Sequence, residues 1–93
     1  MKLMAINYTL HWPGQNYRRL ANSIPFICNQ YAHVSDSFWL IKTEMTCAQI
    51  RNSLKLMVDT NDLLMISEVQ DWASYNLPPN IVVWADGVFS QAA

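Results

Sequence analysis

Charge is the scarcest commodity in this sequence. Charged side chains make up 14% of its 93 residues, against about 25% in an average soluble domain. The cations are Lys2, Arg18, Arg19, Lys42, Arg51 and Lys55, and the final 38 residues contain none. Strong non-specific nucleic-acid binding rests on a dense basic patch. Only Arg18 and Arg19 are adjacent here, so they are the candidate nucleic-acid contact, and the contact they imply is weak. Glycine is limited to Gly14 and Gly87, which leaves no glycine-rich loop to cradle a phosphate. Two cysteines, Cys28 and Cys47, are too few for a disulfide framework. They read as free thiols in a reducing cytoplasm, with a disulfide between them as the minor alternative. No run approaches 18 apolar residues, so no membrane span is expected. The apolar run at the start is interrupted by Asn7 and is too short for a signal peptide.

What the chain has instead is apolar and aromatic mass. The hydrophobic set is 52%, with four Trp, four Tyr and three Phe, which excludes disorder. The length fits one domain. A domain this small has much surface and, here, few charges to cover it. Some apolar surface is therefore expected to face a partner, most simply a second copy of the chain.

The pattern along the chain predicts alternating elements. Residues 2–10 alternate after an apolar start and read as a strand, stopped by the turn dipeptide Pro13-Gly14. Tyr17, Leu20, Ala21, Ile24, Ile27, Cys28 and Tyr31 recur at helical spacing, and Pro25 is expected to kink or end that helix near 22–24. Residues 31–36 read as a weak strand. Residues 37–43 read as a strong one, with Asp36-Ser37 as the connection. Thr46 and Gln49 form a capping box ahead of an apolar stripe of Cys47, Ile50, Leu54, Met57 and Val58. Residues 63–69 are a fourth strand. After Pro78-Pro79, residues 81–85 read as a short apolar fifth strand, closed by Asp86-Gly87.

The order strand, helix, strand, strand, helix, strand is that of an α+β, ferredoxin-like βαββαβ domain over residues 1–76. Residues 77–93 form a C-terminal extension whose strand pairs with an edge of this sheet or of a partner's. Both helices cover one face of the sheet. The other face has nothing left to cover it and is expected to serve dimerisation, with Trp39, Ile41, Ile81, Val83 and Trp84 at the interface. Aromatic enrichment with depleted charge is what interface centres show.

Three stretches carry a family resemblance. They are Ile6-Asn7-Tyr8-Thr9-Leu10-His11-Trp12-Pro13-Gly14-Gln15-Asn16-Tyr17, then His33-Val34-Ser35-Asp36-Ser37-Phe38-Trp39-Leu40-Ile41-Lys42-Thr43, then residues 46–64. Together these resemble the small CRISPR-associated "Cas-two" integration subunit and its SinR-type and VapD-type relatives, over about residues 3–76. The middle block is the most specific part. The resemblance implies a ferredoxin-like fold, a homodimer packed through sheet faces, and a C-terminal strand able to cross to the other subunit. In metal-dependent nucleases of that wider group, an aspartate ending the first strand binds a divalent cation. The matching position here is Thr9, and a hydroxyl is no substitute for a carboxylate with a hard cation. The implied consequence is loss of nuclease chemistry, or a protein that never had it.

Other chemistry is thinly represented. His11 and His33 lack zinc-ligand spacing, and a Cys28/His33 nucleophile pair is the kind of pairing many small domains offer by chance. Asp36, Asp59, Asp62, Glu68 and Asp71 would hold a metal only if clustered, and turn positions explain most of them. Trp12, Trp39, Trp72 and Trp84 have too few cations around them to suggest base stacking. The expectation is a non-catalytic, cytoplasmic homodimer without cofactor. It would bind an unidentified protein partner in prokaryotic defence, or in phage or mobile-element anti-defence, such as inhibition of a CRISPR-type system. A metal-dependent endonuclease and a duplex-DNA-holding dimer are the alternatives.

Overall fold

The first strand, β1 (Lys2–Thr9), forms the centre of the molecule. Its alternation sends Met4, Ile6 and Tyr8 to one face and Leu3 and Ala5 to the other, and both sets are buried. That two-sided burial requires cover on both faces. In the computed structural model, which describes residues 1–11 and 15–90, the remaining elements are α1 (Gln15–Ile27), β2 (Tyr31–Ser35), β3 (Phe38–Thr43), α2 (Cys47–Leu54) with a short 3₁₀ turn (Lys55–Met57), β4 (Leu63–Glu68) and α3 (Pro79–Ser90). The chain is α+β, with a four-stranded antiparallel sheet of order β2-β3-β1-β4. The turn expected at Pro13-Gly14, with Trp12, lies outside the described residues.

One face carries α1 and α2. Leu20 and Ile24 of α1, and Ile50 and Leu54 of α2, close over Met4, Ile6, Tyr8, Trp39 and Ile41. The start of α2 follows from its capping box. The Gln49 backbone N–H donates to Thr46 Oγ1 at 3.1 Å, and the Thr46 N–H donates to Gln49 Oε1 at 2.9 Å. The helix α1 departs from expectation by running through Pro25 to Ile27. Proline in a helix interior costs about 3 kcal/mol, yet Leu20 and Ile24 are fully buried on the sheet. The turn after the proline still closes, with Cys28 N–H donating to Ile24 O at 3.2 Å. Packing outweighs the lost bond.

The larger correction concerns the C-terminus. Residues 81–85 are not a strand but part of α3, and the face expected to be bare is covered by this chain itself. Pro79 occupies the first helical position, where its missing N–H costs nothing. Ile81, Trp84, Ala85 and Val88 recur at helical spacing and pack on Leu3, Ala5 and Leu40, with Trp72 beside them. Asn76, at φ 63, turns the chain back towards this face, a conformation asparagine tolerates. Lys42 Nζ lies 4.7 Å from the Trp84 ring centroid, a cation–π contact that pins α3 to β3. The swapped strand therefore has no counterpart in this fold. Among the described residues, no helix is long and apolar enough to cross a membrane.

Candidate functional site

The residues singled out from the sequence are scattered. Thr9 ends β1, is exposed, and pairs with Leu63 of β4. It borders a shallow cleft shared with Asn7, Ser37, Leu63 and Met65. The carboxylates are dispersed over the β2–β3 turn, the α2–β4 connection and the end of β4. Among the described residues no group of three or more His, Cys, Asp or Glu is placed to hold a metal.

Asp62 has a visible structural task. Its Oδ1 accepts the His11 N–H at 2.6 Å and its Oδ2 accepts the Asp59 N–H at 2.7 Å. The Asp62 N–H in turn donates to Asp59 O at 3.1 Å. One carboxylate thus ties the exit of β1 to the entry of β4. Asp62→Ala is expected to cost about 1–2 kcal/mol, from the loss of charge-assisted hydrogen bonds to backbone. Asp62→Asn, which keeps one acceptor, is expected to lose less. Urea denaturation of the pair measures the difference.

Cys28 and Cys47 are both free thiols. The Cys28 thiol lies 2.9 Å from Lys42 O and 3.2 Å from Gln30 O, so it shares its proton between carbonyls that anchor β2 and β3. His33 is committed elsewhere: its ring stacks on Trp39, centroids 3.9 Å apart and 13° from parallel. Trp39 Nε1–H donates to the Tyr8 hydroxyl at 2.9 Å, and Tyr31 and Tyr17 tilt against Trp39 and Tyr8. Burial pushes the Tyr8 phenol above the usual tyrosine range. The Trp39 hydrogen bond opposes that shift, while the charges of Tyr17 and Asp36 add to it.

The five residues expected at a dimer interface do not form one exposed surface. Trp39 is 2% exposed and Ile41 is fully buried, both on the face that α1 and α2 cover. Ile81 and Trp84 are half-buried on the sheet-facing side of α3, and Val83 alone of the five points to solvent, 73% exposed. Arg18 and Arg19 are exposed on α1.

Exposed large apolar side chains are spread over the described surface, Phe26, Leu56, Tyr75 and Val83 among them, and β4 carries two that are neighbours on one face. Leu63 is 68% exposed and Met65 is 66% exposed. They stand side by side on the α3 face of the sheet, opposite Thr9 and Asn7 of β1. The strand β4 is an outer strand of the sheet, and its sequence, LLMISE, holds neither Lys nor Pro to blunt it. The hydrogen-bond pattern fixes which backbone groups it presents. Val69 N–H donates to Leu3 O at 2.8 Å, so in this register residues 63, 65, 67 and 69 bond inward to β1. Leu64, Ile66 and Glu68 consequently aim their N–H and C=O groups outward. On the opposite face of the sheet, Cys47, Ala48 and Arg51 of α2 border a groove with Leu64 and Ile66.

Sequence reasoning missed Leu63 and Met65 because the apolar run Leu63-Leu64-Met65-Ile66 does not alternate, so it carries no label for which face is exposed. The signal available was their odd-numbered spacing, which sets them on the same face as Leu3 and Ala5 but beyond the reach of α3. No family model, no curated protein and no solved structure matches this chain.

Proposed function

We propose that this chain is a ferredoxin-like, non-catalytic protein that acts as a homodimer by binding another protein. The fold reading is supported by the sheet order β2-β3-β1-β4, with α1 and α2 inserted after β1 and β3 on one face. The functional reading is carried by one observation: two large apolar side chains, Leu63 and Met65, exposed together on an unblunted edge strand. Contiguous exposed apolar surface beside an open sheet edge suits strand addition, for which a second copy of the chain is the simplest source. Its neighbourhood contains the hydroxyl of Thr9 where the resembled nucleases carry a metal-binding carboxylate. The free thiols fit a reducing cytoplasm. The resemblance to the "Cas-two" group puts the role in prokaryotic defence, or in phage or mobile-element opposition to it.

The test has two arms. Purified protein incubated with RNA and DNA in Mg²⁺ or Mn²⁺ is expected to leave both intact. Cleavage that disappears on Asp36→Asn or Asp62→Asn would replace this reading with a nuclease one. Affinity capture from host lysate with the wild-type protein as bait, repeated with free recombinant protein added as competitor and read by mass spectrometry, is expected to yield a protein that the competitor displaces.

A further inference from the structure

The sheet has two edges, and they are not equivalent. The β2 edge is irregular, because its register with β3 shifts between His33 and Ser35, and bulges of this kind discourage pairing. The β4 edge is regular through all six residues in its pairing with β1. It is also self-complementary in a restricted way. Two antiparallel copies of one strand keep their side chains on matching faces only when opposed residues are both odd or both even. A two-fold axis must therefore pass through a residue opposite itself.

We propose that two copies of this chain pair antiparallel along β4, with Ile66 opposite Ile66 of the second copy, making one continuous sheet from two four-stranded halves. In this register Leu64 opposes Glu68 of the second copy and Met65 opposes its Ser67. The pairs at Ile66 and at Leu64–Glu68 are the ones whose backbone groups point outward, so each exchanges both of its hydrogen bonds. On one face, Leu63 meets Val69 of the second copy, and the two Met65 side chains become diagonal neighbours, which covers the exposed apolar pair.

Charge complementarity selects a second copy as the occupant. Glu68 pairs with Met4, whose side chain is in the core under α1 and α2, so Glu68 lies on the face that bears α2. Opposite Leu64, it arrives in the groove that Arg51 borders. Arg51 is exposed, and among the described residues its guanidinium bonds the neighbouring amide, Asn52 Oδ1, through Nε at 3.2 Å and Nη2 at 3.1 Å. Symmetry makes the Arg51–Glu68 meeting occur twice, and arginine–carboxylate pairs have the geometry for a bidentate contact.

This inference rests on the interaction reading but fails separately from it. Nuclease activity removes that reading whatever the oligomeric state, whereas a dimer indifferent to Met65→Lys removes the β4 pairing and leaves that reading standing. Sedimentation equilibrium across the micromolar range is expected to show a dimer. Met65→Lys, at an exposed side chain, is expected to weaken the dimer about tenfold or more while leaving the far-ultraviolet circular dichroism spectrum unchanged. Arg51→Glu and Glu68→Arg are each expected to weaken it, and the double variant to restore it. A monomer at all concentrations, or a dimer indifferent to Met65→Lys, overturns the pairing. Failure of the double variant to restore association overturns the Ile66-centred register.

Discussion

Ala85→Asp is expected to destabilise the protein by several kcal/mol, enough to unfold a domain of this size, while Val83→Asp is expected to stay within about 0.5 kcal/mol of wild type. The two positions are two residues apart and nearly opposite on a helix. Ala85 is fully buried, between α3 and the side chains of Leu3, Ala5 and Leu40, whereas Val83 is 73% exposed. A carboxylate at 85 would be desolvated against Leu3, Ala5 and Leu40, while at 83 it meets water. In a strand the two residues would share a face, and the substitutions would act alike. Thermal melts of the pair therefore test the helix as well as its packing. Equal effects would remove α3 from the account of how the second sheet face is covered.

Trp39→Ala is expected to cost about 3–5 kcal/mol, the range for removing a large buried aromatic. The side chain is 2% exposed and contacts Tyr8, Tyr31 and His33 at once. The milder Tyr8→Phe leaves the buried indole N–H without its acceptor and is expected to cost about 1–3 kcal/mol. It also changes the alkaline limb. The Tyr8 phenol is held above its unfolded value, so the native state keeps its proton longer than the unfolded one does. The resulting stability is complete below the unfolded tyrosine value of about 10 and is lost as pH rises beyond it. Wild type should therefore lose stability faster than Tyr8→Phe above that point. Parallel alkaline denaturation curves for the two proteins would show that Tyr8 titrates as it does in the unfolded chain.

The contrast between α2 and α3 shows what could be read in advance. The beginning of α2 is written locally, in a hydroxyl and an amide three residues apart, and Thr46 and Gln49 bond as that spacing predicts. For α3 the local signals conflict. The β-branched run Ile81-Val82-Val83 favours a strand, while Ile81, Trp84, Ala85 and Val88 have helical spacing. The conflict is resolved by Leu3, Ala5 and Leu40, some forty to eighty residues away in sequence, whose exposed face only a helix's apolar stripe matches. Trp39 and Ile41 posed a different difficulty. The strand β3 is buried on both faces, so its alternation carries no label saying which side is core and which is surface. The exposed pair on β4 was masked in the same way, since its neighbours Leu64 and Ile66 are equally apolar and point inward, and only the odd-numbered spacing separates the two sets.

The shift in pairing between His33 and Ser35 bears on how large an assembly can grow. A sheet with two regular edges can recruit copies at both and extend into a filament. Here the β2 side is irregular, and a β4 edge that meets its own kind is consumed in the meeting. Association of this type closes at two and leaves no template for a third copy. If two copies pair along β4 as proposed, one misaligned residue pair at the margin farthest from β4 would set an upper limit on stoichiometry and keep an apolar, weakly charged chain from polymerising.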